Sequence, residues 1–252
     1  MLDIFSDLGA TTIVVVGLLA IVTAAIHGAT GVAGGFLMTA ALAVVIGIKP
    51  VVPVMSVALL ISHSSRIFLN WENFNKEAFF LVFIPATPCI ILTAWLYGKM
   101  SSGLIALLLG TVVLLSIPLR RWATSREIKT TKPTIVGVAA TYGGVSGASI
   151  GGGMLLVPFL LGYGLTKEAF VATLAAIAFT TNVTRSTIFG ASDLLGTQYL
   201  ILGVFVGLMT IPGNYIGRSI LRKLTNQRHA LFADILTIVG ALNFFWMAFR
   251  QM

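Results

Sequence analysis

The chain is a succession of apolar stretches too long and too numerous for a water-soluble fold to hide. Ten can be marked, over residues 11–26, 32–46, 51–69, 78–97, 104–122, 134–142, 152–161, 169–189, 198–221 and 230–249. A helix rising about 1.5 Å per residue needs about 20 residues to cross a hydrocarbon core, and most of these are of that order. Hydrophobic residues make up 57% of the 252 and charged ones only 10%, against about 25% charged in soluble domains. The reading is an all-α polytopic integral membrane protein. The apolar segments and short loops account for most of the length, which leaves no room for a soluble enzymatic domain.

The chain also repeats itself. His63-Ser64-Ser65-Arg66 closes one apolar segment, and Asn182-Val183-Thr184-Arg185 closes another. Aligning Arg66 with Arg185 gives an offset of 119 residues, Gly35 with Gly153 gives 118, and Gly47 with Gly164 gives 117. Such small drifts are loop gaps within one duplication. Each copy is preceded by a glycine-rich break, Gly-Ala-Thr-Gly-Val-Ala-Gly-Gly over residues 28–35 and Gly-Gly-Val-Ser-Gly-Ala-Ser-Ile-Gly-Gly-Gly over residues 143–153. Each half therefore reads as a short glycine-broken helix pair, either spanning or re-entrant, followed by three transmembrane helices. The first repeat covers residues 1–122 and the second 134–252. A polar linker at 123–133 joins them into one transport domain.

Cations set the orientation. Sixteen Lys and Arg against eight Asp and Glu give a net charge of +8. In a soluble chain that excess would hint at nucleic acid. Here the cations cluster between apolar segments, as Arg120, Arg121, Arg126, Lys129 and Lys132, and again as Arg218, Arg222, Lys223 and Arg228. Such clusters follow the positive-inside rule and hold loops against anionic lipid. Both fall on the cytoplasmic side if the linker does, with the Asp193 loop and both termini on the outer side. Each half has an odd number of net crossings, so the halves are inverted relative to one another. The N-terminus is acidic and has no basic n-region, so no removable signal peptide is predicted. Trp71, Trp95, Trp122 and Trp246 sit near segment ends, as interfacial anchors do. Pro85, Pro88 and Pro212 lie inside spans and are expected to kink them.

Irregular backbone at membrane depth is tolerated only where it lines a cavity or is buried in protein. The glycine runs therefore have two readings: close helix packing, or helix N-termini whose amides face an anion. Their matched occurrence in two halves favours the second. It makes Thr30, Gly34, Gly35, Ser149, Gly152 and Gly153 candidate substrate contacts, with the Ser146 hydroxyl beside them. Arg66 and Arg185 are the other candidates. A guanidinium stays charged and presents a fork of donors suited to oxyanions. An arginine at a segment end can instead snorkel to the interface, but two matched ones point to function. His63 and Asn182 each precede their arginine by three residues and share its helix face. His27 and His63 are candidate proton carriers, since imidazole titrates near neutral pH. His229 lies in a basic loop. No span holds a mid-depth carboxylate, so a cation site is not expected. Cys89 is alone, which excludes an intrachain disulfide and a thiolate metal site. No metal and no cofactor are predicted.

Taken together the glycine breaks and polar-ended spans resemble the sulfite exporter family TauE/SafE. The most specific stretch runs from Gly147 to Pro158, Gly-Ala-Ser-Ile-Gly-Gly-Gly-Met-Leu-Leu-Val-Pro, with its glycine triplet, apolar pair and proline. The first half carries a weaker copy, Gly28-Ala-Thr-Gly-Val-Ala-Gly-Gly-Phe-Leu-Met, with Ala40 where the proline would fall. The resemblance implies movement of sulfite, an organosulfonate or a related small anion across a bacterial inner membrane. The expected protein is a multi-pass secondary transporter and not an enzyme. The alternative is an anion channel, or a transporter of other small organic anions such as carboxylates. Its partners would be the anion and membrane lipid, with no nucleic acid, and its state a monomer or a homodimer.

Overall fold

The computed structural model describes residues 3–30, 33–125, 129–221 and 226–251, which are helical almost throughout and contain no strand. Ten helices follow one another: α1 (Asp3–Thr30), α2 (Ala33–Ile46), α3 (Ile48–Asn70), α4 (Lys76–Tyr97) and α5 (Ser102–Ser125), then α6 (Lys132–Ser146), α7 (Val157–Gly162), α8 (Lys167–Ala191), α9 (Thr197–Leu221) and α10 (Asn226–Gln251). Nine of the ten apolar segments coincide with one helix each, and the tenth, 152–161, is divided between a 3-10 turn and α7. Five helices contain stretches long and apolar enough to cross a membrane: Gly9–Ile26, Ile48–Phe68, Lys76–Tyr97, Ser102–Leu119 and Thr197–Ile216. α8 and α10 are as long, at 25 and 26 residues.

Two departures from the sequence reading concern the short pairs. The first segment is not short: α1 runs for 28 residues and bends at Gly9 (φ 73). It continues through Gly28, so the first glycine break is narrower than the sequence suggests. The second members differ too. α2 is one helix of 14 residues, whereas the second half has a 3-10 turn (Gly152–Leu155) and then a six-residue α7 with Pro158 in its first turn. Proline has no N–H to give and favours a first-turn position, so the helix starts anew there. Ala40 imposes no such restart, and α2 runs through.

The local signals at the helix ends are ordinary ones. The Asn75 side chain accepts from the Ala78 amide at 2.9 Å and starts α4, and Thr166 does the same for α8 through Ala169 at 3.3 Å. Gly47 and Gly164, the aligned pair that enters α3 and precedes α8, both adopt positive φ (84° and 97°). Only glycine takes that conformation without strain. α4 and α9 run continuously through Pro85, Pro88 and Pro212.

Packing sets α3 against α8 and α5 against α10, while α1 lies along α9 and α4 along α6. α9 also packs on α3, and α4 on α8. A mainly apolar core encloses a minority of polar groups, while many large apolar side chains also face outward. Ser56 of α3 and Ser186 of α8 share a hydrogen bond at 2.8 Å. Buried Thr23, Thr39, Ser116 and Thr210 each return their hydroxyl to a carbonyl one turn back, at 2.6 Å, which removes the cost of burying it. Leu18, Ile84, Leu92, Leu115, Leu242 and all four tryptophans are exposed. So broad an apolar surface would associate in water and is matched to lipid. Asp234 on α10 is buried and paired with the exposed Arg121 of α5 at 2.9 Å.

Candidate substrate site

A cavity of about 320 Å³ opens where α3, α8 and the glycine-rich segment after α6 converge. α2 contributes Gly35 and Phe36, and α3 contributes Leu59, His63 and Arg66. Tyr142 and Ser146 come from α6, and residues 149–154 from the irregular segment. α8 supplies one long wall that ends at Thr181, Asn182 and Arg185. Eight of the ten sequence-nominated contacts therefore line one space: Gly35, His63, Arg66, Ser149, Gly152, Gly153, Asn182 and Arg185. The side chains of His27, Thr30 and Gly34 lie outside those the structure describes, as do those of Arg218, Arg222, Lys223, Arg228 and His229.

The two arginines are not equivalent. Arg66 is half-buried at the cavity wall. Arg185 is 3% exposed and does not snorkel. Its Nη1 donates to the carbonyls of Ser146 at 3.0 Å and Ser149 at 2.7 Å, and its Nη2 to the Asn182 Oδ1. Ser146 ends α6, so Arg185 caps the negative end of that helix dipole. Three of a guanidinium's five N–H groups are thereby used, and Nε has no partner. A charge taken out of water costs several kcal/mol (roughly) unless compensated. Hydrogen bonds compensate Arg185, but no carboxylate does: none lines the cavity among the described residues.

The structure adds partners and roles that the spacing did not give. Asn182 spends both ends of its amide on the protein, with Nδ2 donating to the Ala178 carbonyl at 2.7 Å and Oδ1 accepting from Arg185. Ser149 meets Arg185 through its carbonyl, while its hydroxyl turns to the Ile150 carbonyl at 3.3 Å. The glycine run divides into two roles. Gly143 and Gly147 are packing glycines, since a Cβ on Gly147 would lie 2.6 Å from the Ile90 carbonyl of α4. Gly152 and Gly153 line the cavity. Sequence reasoning passed over Tyr142, whose hydroxyl meets Thr181 at 2.8 Å. The available signal was its place four residues before Ser146, on the same helix face.

The family comparison bears on the whole arrangement. The model of the family described as sulfite exporter TauE/SafE matches residues 16–244. The chain belongs to that family. The match takes in all or part of every helix and every residue named at the cavity. Comparison with curated proteins and with solved structures gave no match. TauE/SafE membership implies a membrane transporter of sulfite or a related anion, not an enzyme, with a small anion as its substrate. Among the described residues no group of three or more His, Cys, Asp or Glu could hold a metal ion.

Proposed function

We propose that this TauE/SafE member is a secondary transporter that binds a small organosulfonate, or sulfite itself, in the cavity between α3 and α8. The observation that carries this reading is the charge of the wall. Arg185, buried in that wall, is met by no acidic residue among the described residues that line the space. An anion supplies the missing charge, and a guanidinium suits an oxyanion's geometry.

Volume and lining favour a carbon-bearing substrate. A water molecule takes about 30 Å³ of the liquid, so a four-heavy-atom sulfite leaves most of 320 Å³ empty. Phe36, Leu59, Met154, Phe170 and Leu174 line the remainder. A short alkyl tail would remove that apolar surface from water, at about 25 cal/mol per Å².

The same proposal takes residues 1–122 and 134–252 as inverted repeats joined by a cytoplasmic linker. Helix packing supports it. Exchanging α1 to α5 for α6 to α10 in order turns the α1–α9 pairing into α6–α4 and the α3–α9 pairing into α8–α4, both of which occur. The α3–α8 and α5–α10 pairings map onto themselves. The aligned pairs Arg66 and Arg185, His63 and Asn182, and Gly35 and Gly153 all line the one cavity. Alternating access would then be one set of helices rocking against the other about this site. The membrane is taken as a bacterial inner membrane, with both termini outside.

A thermal-shift panel on the detergent-purified protein tests the substrate class, since a ligand that binds only the folded state raises the melting temperature. The panel is sulfite, sulfate, methanesulfonate, ethanesulfonate, butanesulfonate, acetate and chloride. The expected result is stabilisation by sulfonates above sulfite, with none from chloride. Stabilisation by acetate alone would replace a sulfur anion with a carboxylate, and no shift from any anion would overturn the cavity as the binding site.

A further inference from the structure

The two ends of the bundle close the cavity unequally. At one end the Thr130 amide meets the Gly162 carbonyl at 3.0 Å, Lys132 pairs with Glu77, and the Asn75 amide meets the Thr173 hydroxyl at 3.1 Å. The starts of α4, α6 and α8 therefore gather on that side. At the other end Gly98, after α4, packs on Leu194, after α8. Along α8 the cavity wall changes from one end to the other. Phe170, Val171 and Leu174, near Lys132, are half-buried, whereas Thr181, Asn182 and Arg185 are buried. The space narrows toward the Asp193 side.

An aromatic pair lies beyond that narrow end. Phe189, one turn after Arg185, meets Tyr97 of α4 with ring centroids 5.3 Å apart, and both side chains are fully buried. The sequence of α3 explains what holds Tyr97 there. Pro53 has no N–H, so the Lys49 carbonyl four residues earlier loses its helical donor. The Tyr97 hydroxyl takes that place, donating to the Lys49 carbonyl at 2.8 Å with the Ile48 carbonyl at 3.3 Å. A phenol buried without such a partner would cost free energy. The plug therefore depends on the end of α4 meeting the start of α3.

The opposite end carries a matching pair in a different arrangement. The 118-residue offset of Gly35 and Gly153 carries Tyr97 to Tyr215 and Phe189 to Trp71. Trp71 follows α3, and Tyr215 lies on α9 beside Asn214, whose amide reaches Ser62 of α3 at 3.2 Å. Trp71 is 60% exposed and Tyr215 64%, against 0% for Tyr97 and Phe189. The same offset carries Pro53 to Val171, so no proline frees a carbonyl at this end.

Resting on the reading that an anion crosses by alternating access about this cavity, we propose that Tyr97 and Phe189 are its closed gate and Trp71 and Tyr215 its open one. The Tyr97 hydroxyl on the Lys49 carbonyl is the latch. Passage of the anion on the Asp193 side requires that bond to break, with Trp71 and Tyr215 closing the other end in turn.

The test is thiol accessibility in a Cys89→Ser background. Ala178→Cys places a thiol on the half-buried part of the cavity wall. Membrane-impermeant sulfonatoethyl methanethiosulfonate is applied to spheroplasts and to inside-out vesicles, and Ser192→Cys marks which preparation presents the Asp193 side. With the gate unaltered, Ala178→Cys is expected to react faster from the Lys132 side. Tyr97→Phe keeps the ring and removes only the bond, and is expected to raise the rate from the Asp193 side roughly fivefold, the factor that one net hydrogen bond is worth. Pro53→Ala returns a backbone donor to the Lys49 carbonyl and is expected to act in the same direction. The double variant should exceed neither single one, since both act on one bond. Equal rates from both sides with the gate unaltered, or an unchanged rate in Tyr97→Phe, overturns the gate. Ethanesulfonate and sulfite are expected to slow the labelling of Ala178→Cys. One-sided labelling that responds to Tyr97→Phe but that neither anion slows overturns the substrate reading and leaves the gate standing.

Discussion

Gly143 on α6 lies against Ala86 on α4 so closely that a Cβ there would sit 2.4 Å from the Ala86 carbonyl oxygen. The other long pairing has the same feature. A Cβ on Gly213 of α9 would sit 2.3 Å from the Ile21 carbonyl of α1. In lipid, helices associate through packing and not through a hydrophobic drive, so such contacts carry much of the association. Gly143→Ala and Gly213→Ala are expected to destabilise the protein by about 1–3 kcal/mol each, as overpacking does. Gly144→Ala meets no atom within 4 Å and should be neutral, or stabilising by up to about 1 kcal/mol through helix propensity. Thermal denaturation in detergent separates the neighbours, and equal melting points for Gly143→Ala and Gly144→Ala would contradict this packing.

Arg66 and Arg185 should fail differently. Alanine at either position is expected to abolish sulfonate flux in proteoliposomes while membrane insertion persists. Only Arg185→Ala should also lower stability, because it strips partners from the carbonyls of Ser146 and Ser149 and from Asn182, at about 1–3 kcal/mol for each buried acceptor left unpaired. Arg185→Lys should not restore transport, since an ammonium cannot reproduce a planar fork held on two sides. Normal flux in both alanine variants would remove the arginines from the site.

Gly35 offers a probe of substrate size. It lines the cavity and a Cβ there would meet nothing within 4 Å. Gly35→Ala should therefore fold well and narrow the cavity. Butanesulfonate affinity is expected to fall while sulfite affinity holds. Equal loss for both ligands would mean that the methyl group does not face the tail.

The proposed orientation can be read by labelling. In a Cys89→Ser background, Ser192→Cys lies in the exposed turn after α8, and Lys129→Cys replaces an exposed residue shortly before α6. A membrane-impermeant maleimide added to intact spheroplasts is expected to label position 192 and not 129. The opposite pattern would invert the topology.

How much of this was legible beforehand differs residue by residue. Nine of the ten apolar segments became single helices, because length and apolarity favour a helix wherever a chain meets lipid. The matched positive-φ glycines at 47 and 164, and the restart of the helix at Pro158 but not at Ala40, follow from local backbone chemistry. The length of α1 did not follow, because a glycine lowers helix propensity without ending a helix, and α1 runs on through Gly28. The hydrogen-bond partners of Asn182 and Ser149 were not legible for a different reason. Sequence spacing put Asn182 on the face of Arg185, but spacing does not say whether a polar group spends its hydrogen bonds on a ligand or on the protein.

The sequence by itself determined the solvent and the helices, and it set two arginines behind two glycine breaks, for these rest on hydrophobicity and local conformation. Only the tertiary structure decided that α1 pairs with α9 and α4 with α6, and that some glycines pack helices while others line a cavity. It also decided that Arg185 is fixed by carbonyls from α6 and the segment that follows while its Nε stays unengaged. Those outcomes depend on contacts between residues as far apart as Ile21 and Gly213, and close packing between distant segments leaves no periodicity in the chain to read.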